Sequence, residues 1–365
     1  PTLTIGIEEE YQIIDPDTRE LRSYVQRFLE RGHTVLPDQI RPEFLQSQVE
    51  AGTRICHDIH EARRELIRMR HSIKEVAEGE GLWVAAAGTH PFSSWARQEV
   101  SPFGRYPELA RFLQDVGRRL LIFGTHIHVG IEDRELLIDV MNQIRYFLPH
   151  VLALSTSSPF WHGRDTGLKS YRSVVFESLP RTGIPQQFGA YADYRSHVDT
   201  LLATGSIAEP THIWWDVRPS EKFPTLEVRI PDMCTRIDET LCLAALVQAV
   251  AAKLVRLRKT NQTWRIYRKN LLDENKWRAV RYGTEGKLID FGKTKEVPFP
   301  TLIEELLSWV DDVLDELEIR PEVEYVHTIL SHGTSADRQL AVYRRTGDFR
   351  AVVDRVVEET QQGLG

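Results

Sequence analysis

Three short segments place ionisable side chains at alternate positions of otherwise apolar runs. Gly6-Ile-Glu-Glu-Glu-Tyr carries Glu8 and Glu10, Gly124-Thr-His-Ile-His-Val-Gly carries His126 and His128, and Leu226-Glu-Val-Arg-Ile-Pro-Asp carries Glu227 and Arg229. Alternate residues of an extended strand point to the same side, so each pair shares a face while Glu9 turns to the other. A single pair of this kind reads as a solvated strand end; three together point to a common site. Removing an unpaired charge from water costs several kcal/mol, so the shared face needs an ion, a ligand or mutual pairing in a salt-bridge network. Carboxylate oxygens with few soft donors favour a hard cation such as Mg²⁺, and the acids exceed what one ion requires, which predicts two or more. That cluster suits phosphoryl transfer from ATP, where metal charge neutralises the phosphates and an arginine stabilises the group in transit.

Other candidates are less tied to this face. Glu43 and Glu50 lie seven apart, which on one strand puts them on opposite faces unless a bend intervenes. Arg172 and the donor-rich segment Ser157-Ser-Pro-Phe-Trp-His-Gly-Arg-Asp-Thr-Gly read as a loop able to orient a small anion. No G-x-G-x-x-G occurs, and Gly286-Lys-Leu-Ile-Asp-Phe-Gly-Lys-Thr is one residue too long for a P-loop, so ATP would be held by metal and side chains. The basic run Lys253–Lys269 contains Trp264 and Tyr267, and reads as a solvated helix end or a nucleotide-facing segment. Cys56, Cys234 and Cys242 form no C-x-x-C and read as buried free thiols, Cys234 included.

The elements that must position these groups follow from periodicity. Alternation predicts strands over 3–14, 82–87, 120–129, 212–217 and 225–231. Helical spacing predicts helices over 57–77, 133–155, 190–203, 238–259 and 302–317, with a mostly helical C-terminal part from about 299. Strands and helices in irregular order predict an α+β fold, with helices on one side of a largely antiparallel sheet. Candidate strands spread over more than 220 residues and sharing one site favour a single domain, 1–365.

Composition narrows the classes. With 41% hydrophobic and 27% charged residues the chain is globular, and a net charge of -7 gives no basic field for nucleic acid. The longest apolar run, Leu241–Val255, is interrupted by Gln248 and Lys253 and is short of the roughly 20 residues of a membrane span. It reads as a buried helix, and no membrane partner is expected. The segment Pro1-Thr-Leu-Thr-Ile has no export pattern, so a cytoplasmic location is expected.

The chain resembles the carboxylate-amine ligases of the glutamate-cysteine ligase type 2 family from Thr4 to about Phe291. The matching motifs are the three above, the Ser157–Gly167 segment, Trp214-Trp-Asp-Val-Arg-Pro and Glu274-Asn-Lys-Trp-Arg-Ala-Val-Arg-Tyr-Gly. The His-x-His and Glu-Val-Arg-x-Pro-Asp strands are also similar to glutamine synthetase, whose catalytic fold the family shares. The resemblance implies a curved, largely antiparallel sheet forming a funnel with helices outside, and a homodimer. It assigns Glu8, Glu10, Glu50, His126 and Glu227 as metal ligands, Glu43 and Glu227 as acidic catalytic groups, and Arg229 as the arginine that meets the transferred phosphate. His128, Arg229, Asn275, Lys276 and Arg281 would contact ATP; Arg172, Ser157 and Asp165 would contact the amino-acid substrate. Segments 157–167 and 275–283 would close over the site, excluding water. The implied cofactors are ATP and two or more Mg²⁺, with Mn²⁺ as a substitute. The implied reaction phosphorylates the γ-carboxylate of glutamate, and an amine such as cysteine displaces phosphate to form an amide. Three other readings compete: a phosphagen-kinase-like transfer to a guanidine, an amidohydrolase using His126 and His128 as a metal pair, and a nucleotide-binding regulator without turnover.

Overall fold

The computed structural model describes residues 2–364; Pro1 and Gly365, the ends of the expected single domain, lie outside them. The central strand is β1 (Ile5–Ile14). Around it lie β2 (Ile40–Pro42), β3 (Gln48–Gly52), β4 (Trp83–Ala85), β5 (Thr125–Gly130), β6 (Val217–Pro219) and β7 (Thr225–Val228). The path is β6-β7-β5-β1-β3-β2, with β4 pairing to the far end of β1, and every pairing is antiparallel. β1 can serve three neighbours because its ten residues are long enough to pair with β5 at one end, β4 at the other and β3 between.

One face of this sheet is apolar. Ile5, Ile7, Tyr11, Val49, Ala51, Ile127, Val129, Leu226 and Val228 are buried in the main core, where helices α2 (Ile59–Gly79) and α5 (Ile237–Lys259) cover the sheet. α5 is long and apolar enough to cross a membrane, yet 83% of its apolar window is buried inside the protein. The other helices used below are α1 (Val25–Val35), α3 (Tyr106–Arg118), α4 (Tyr171–Phe176) and α6 (Lys269–Tyr282). Asp58 caps α2 by accepting from the Glu61 N–H at 2.6 Å, and Asp238 and Glu239 at the start of α5 with Arg256, Arg258 and Lys259 at its end match the helix dipole.

The strongest periodic segments are where the sequence predicts them, and the differences have local causes. The helix expected over 133–155 is two, Arg134–Ile144 and Leu148–Ser155, separated by the 3₁₀ turn Arg145–Phe147, with Pro149 in the first turn of the second. The strand expected over 120–129 starts at Thr125. Residues 269–282 are helix α6, not a closing loop, and 157–167 form a short hairpin whose Gly163 lies against Phe92 and Phe349. Helices α1 and α3 were not predicted, because α1 has four buried residues and α3 only two. The basic run after residue 253 is a braced helix end. Lys253 and Arg256 pair with Asp312 at 2.7 and 3.1 Å, and Trp264 packs on Trp309 with centroids 4.7 Å apart.

Candidate active site

The opposite face of the sheet is polar, and strand register explains its order. Arg218 on β6 pairs with Glu227 on β7, which pairs with His128 on β5; His126 pairs with Glu8 on β1; Glu10 pairs with Glu50 on β3, which pairs with Arg41 on β2. Directly opposed residues point to one side of a sheet, so these side chains form a continuous polar surface. They line a cavity of about 190 Å³ together with Glu43, Arg105, Arg172 and Arg229. β2 ends at Pro42, next to Glu43, and the chain then reverses into β3, which carries Glu50 back beside Glu43. This is the bend that spacing alone left open.

The acids divide into two groups whose ligand atoms all lie within 4.8 Å of one another: Glu8, His128 and Glu227, and Glu10, Glu43 and Glu50. His126 stands between them, with Nδ1 3.3 Å from Glu8 and Nε2 3.8 Å from Glu10. The imidazole grouped with Glu8 and Glu227 is therefore His128, assigned to ATP by resemblance, whereas His126, assigned as a ligand, bridges the two groups.

Their electrostatics differ. Burial opposes ionisation of Glu8, but His126, hydrogen-bonded to it at 3.3 Å, and His128, with Nε2 3.6 Å away, outweigh it and hold its carboxyl well below the ordinary value. Burial also opposes ionisation of Glu227, and Arg218, Arg229 and His128 reverse this, keeping it ionised. Arg218 grips Glu227 at 2.9 and 3.2 Å, and Arg229 forms a further short ion pair with it. In the second group burial prevails. Glu10 is pushed up to about 7 by burial and the charge of Glu50, against Arg172; Glu43 is pushed up to about 7 by burial and Glu10. Glu50 is raised well above its usual value by burial, Glu8 and Glu43. Three crowded carboxyls, each raised by burial and by its acidic neighbours, are short of positive charge.

A divalent cation fits this arrangement. The donors are mostly oxygen, and the buried His128 Nε2 has no hydrogen-bond partner among the described residues. Two buried guanidinium nitrogens, Nε of Arg172 and Nε of Arg229, are also without hydrogen-bond partners. Arg172 reaches the cavity because residue 124 is glycine: a Cβ there would stand 2.9 Å from the Arg172 Cζ. Its remaining donors bind the Arg229 and Ile230 carbonyls at 3.3 and 3.2 Å.

Five expected site residues lie elsewhere. Ser157 is an internal brace: its N–H donates to Asp232 at 2.9 Å and its hydroxyl to the Met233 carbonyl at 2.7 Å. Asp165 is exposed and accepts from the Gly167 N–H. Asn275 clamps the Ile289 backbone at 2.9 and 2.7 Å, and Arg281 donates to the Gly167 carbonyl. Lys276 is buried in an ion pair with Asp216 at 2.6 Å and Glu177 at 2.7 Å. None of the five lines the cavity. Conversely, sequence reasoning missed Arg41, Arg105 and Arg218. Arg218 stands inside the Trp-Trp-Asp-Val-Arg-Pro motif, but only cross-strand register pairs it with Glu227. All three cysteines are buried and free, and burial drives the Cys234 thiol well above its normal range, which disfavours a thiolate there.

The model of the family described as glutamate-cysteine ligase family 2 matches residues 4–357. The chain belongs to that family. It is an ATP-dependent carboxylate-amine ligase of the glutamate-cysteine ligase type, forming a C–N bond. A relative from Herpetosiphon aurantiacus carrying the name glutamate-cysteine ligase 2 is 53% identical over 361 residues, covering 99% of this chain and 94% of its own. One from Sorangium cellulosum with the same name is 54% identical over 363 residues, covering 99% and 97%. The glutamate-cysteine ligase of Francisella tularensis, solved in complex with AMP, has a similar fold at 14% identity, with a TM-score of 0.70 over 99% of this chain and 90% of that one. A bifunctional glutathione synthetase from Pasteurella multocida gives 0.71 over 99% and 52%. The expected α+β fold class, with a largely antiparallel sheet, is the one observed, and it is shared with the Francisella tularensis ligase.

Proposed function

We infer that this family member activates the γ-carboxylate of glutamate with ATP and joins it to an amine, with the whole chain acting as one catalytic unit. The observation that carries this reading is one cavity that holds two clusters of acidic ligands, Glu8 and Glu227 with His128, and Glu10, Glu43 and Glu50, beside Arg172 and Arg229, each with an unpartnered buried Nε.

Glu8, His128 and Glu227 would hold one Mg²⁺ and Glu10, Glu43 and Glu50 another, and Mn²⁺ suits the same donors. Cations bound there supply charge neutralisation to a triphosphate and to the phosphoryl group as it moves. A second cavity of about 480 Å³ opens beside Glu8 and His128 and is lined by Ile5, Ile7, Pro37, Ile55, Phe223 and Pro224. Its apolar walls suit a purine, and this reading places the nucleoside there in preference to Asn275, Lys276 and Arg281.

The chain's own groups then act as follows. Arg172 binds a carboxylate of the substrate acid. The acid's other carboxylate oxygen attacks the terminal phosphorus, ADP leaves, and an acyl phosphate forms. Arg229, anchored by Glu227, donates to the transferred group, a preorganised electrostatic role. The amine nitrogen attacks the acyl carbon and phosphate departs.

The test is ADP release by purified protein with Mg²⁺, ATP, glutamate and a panel of amines that includes cysteine, with the amide identified by mass. ADP release that requires both acid and amine supports the ligase. ADP formed with a guanidine and no amide would select the phosphagen-kinase reading, and amide hydrolysis without ATP the amidohydrolase. ATP binding without turnover on any acid would select a regulator.

A further inference from the structure

The cavity changes character past Arg172. Its polar half is the sheet face; the other half is built by α3, α4 and the segments after it, which present Leu109, Leu113, Phe176, Leu179 and Trp214. Leu113, Leu179 and Trp214 form an apolar cluster of their own, separate from the main core. They act as a wall around a space instead of extending the interior. Leu109 and Leu113 are four residues apart on α3 and therefore share one helix face, directed at the cavity.

This end is also poor in available positive charge. Arg105, at the start of α3, is ion-paired with Glu209 and donates to Thr211 at 2.6 Å. Arg172, whose guanidinium lies 5.5 Å from the Phe176 ring centroid, is the group the ligase reading reserves for the acid. An amino-acid acceptor would bring a carboxylate against leucine and tryptophan: the cations that line this half, Arg105 and Arg172, are already engaged, and Arg181, stacked on the Trp214 ring at 5.4 Å, lies outside the cavity lining, so burying such a charge is costly. A cysteine side chain would also leave much of the wall uncovered, whereas a larger apolar group would displace water from it.

We propose that the amine substrate is a primary amine whose non-reacting part is apolar and carries no carboxylate, an alkyl- or arylalkylamine, seated against Leu109, Leu113, Leu179 and Trp214. The proposal rests on the ligase reading and names its second substrate. In the coupling step the neutral amine nitrogen bonds to the acyl carbon. The carbon–oxygen bond to phosphate breaks with its electron pair going to phosphate, and phosphate takes the proton that nitrogen loses.

The experiment uses the full chain with ATP, Mg²⁺ and glutamate. Hydroxylamine is added first, a nucleophile too small to need the wall, and its hydroxamate product reports the acyl phosphate. Amines are then compared by kcat/KM. 2-Phenylethylamine should exceed cysteine, phenylalanine and glycine by about tenfold or more, and its comparison with phenylalanine isolates the carboxylate. Leu113→Asn and Leu179→Asn should each lower the ratio of 2-phenylethylamine to hydroxylamine turnover by about tenfold, a ratio insensitive to the fraction of protein folded. Hydroxamate formation with a flat profile, a preference for cysteine or another amino acid, or unchanged ratios in both variants would overturn this inference alone. No hydroxamate with any acid would overturn the ligase reading and this inference with it.

Discussion

Arg70→Met should destabilise the protein strongly although Arg70 is remote from substrate. Glu9 is the one acid of the Glu8-Glu9-Glu10 run that turns into the apolar face, and it is completely buried. Arg70 on α2 meets it at 2.9 and 2.5 Å and also donates to the Thr235 carbonyl at 2.7 Å; the Thr240 hydroxyl donates to Glu9 at 2.7 Å, and Tyr11 adds another hydrogen bond. Methionine keeps most of the stem and removes the cation, leaving a buried carboxylate unpaired, a loss of about 3–5 kcal/mol. An unfolding entropy of about 2.1 cal/mol/K per residue over 365 residues gives about 0.8 kcal/mol/K, so Tm should fall by about 4–6 °C. The double variant Glu9→Gln/Arg70→Met has no orphaned charge and should lose only about 1–2 kcal/mol. The pair also guards the site: a one-residue slip of β1 would turn Glu9 into the cavity and Glu8 and Glu10 into the core, where Arg70 can pair with only one of them. Thermal unfolding followed by circular dichroism on the wild type and both variants decides this. An Arg70→Met midpoint within about 1 °C of wild type, or a double variant no more stable than the single, would refute the reasoning.

Glu227→Gln should abolish turnover, by about 100-fold or more in kcat, while leaving the chain folded, because Arg218 and Arg229 keep a hydrogen-bonding partner there; an active variant would sink the assignment of Glu227. Divalent-metal affinity, titrated calorimetrically with Mn²⁺, should rise with pH through about 7. Glu10 and Glu43 hold protons below that value and must lose them to bind a cation, so affinity falls about tenfold per pH unit for each proton displaced. A flat profile from pH 6 to 8 would remove those carboxyls from the metal site. Lys276→Met should lower Tm by leaving the buried Asp216 unpaired, with ATP affinity unchanged in a fluorescent-nucleotide competition assay; selective loss of ATP binding in a stably folded variant would restore Lys276 to the nucleotide site.

Features that depend only on local alternation are legible in the residues alone. The same-face pairs Glu8 and Glu10, His126 and His128, and Glu227 and Arg229 are legible because strand geometry repeats every two residues whatever the strand pairs with. The long apolar helix α5 is legible for the same kind of reason. Tertiary structure decided the rest, because pairing between distant segments is set by long-range packing. The β2–β3 reversal supplied the bend that the spacing of Glu43 and Glu50 left open and brought the two together, and β6–β7 register made Arg218 the partner of Glu227. Motif membership suggested Ser157, Asp165, Asn275, Lys276 and Arg281 as site residues, yet their hydrogen bonds are spent on the scaffold. The apolar wall was invisible for a related reason. Leu113, Leu179 and Trp214 lie far apart in sequence, and each reads as an ordinary core residue until the fold leaves a space between them.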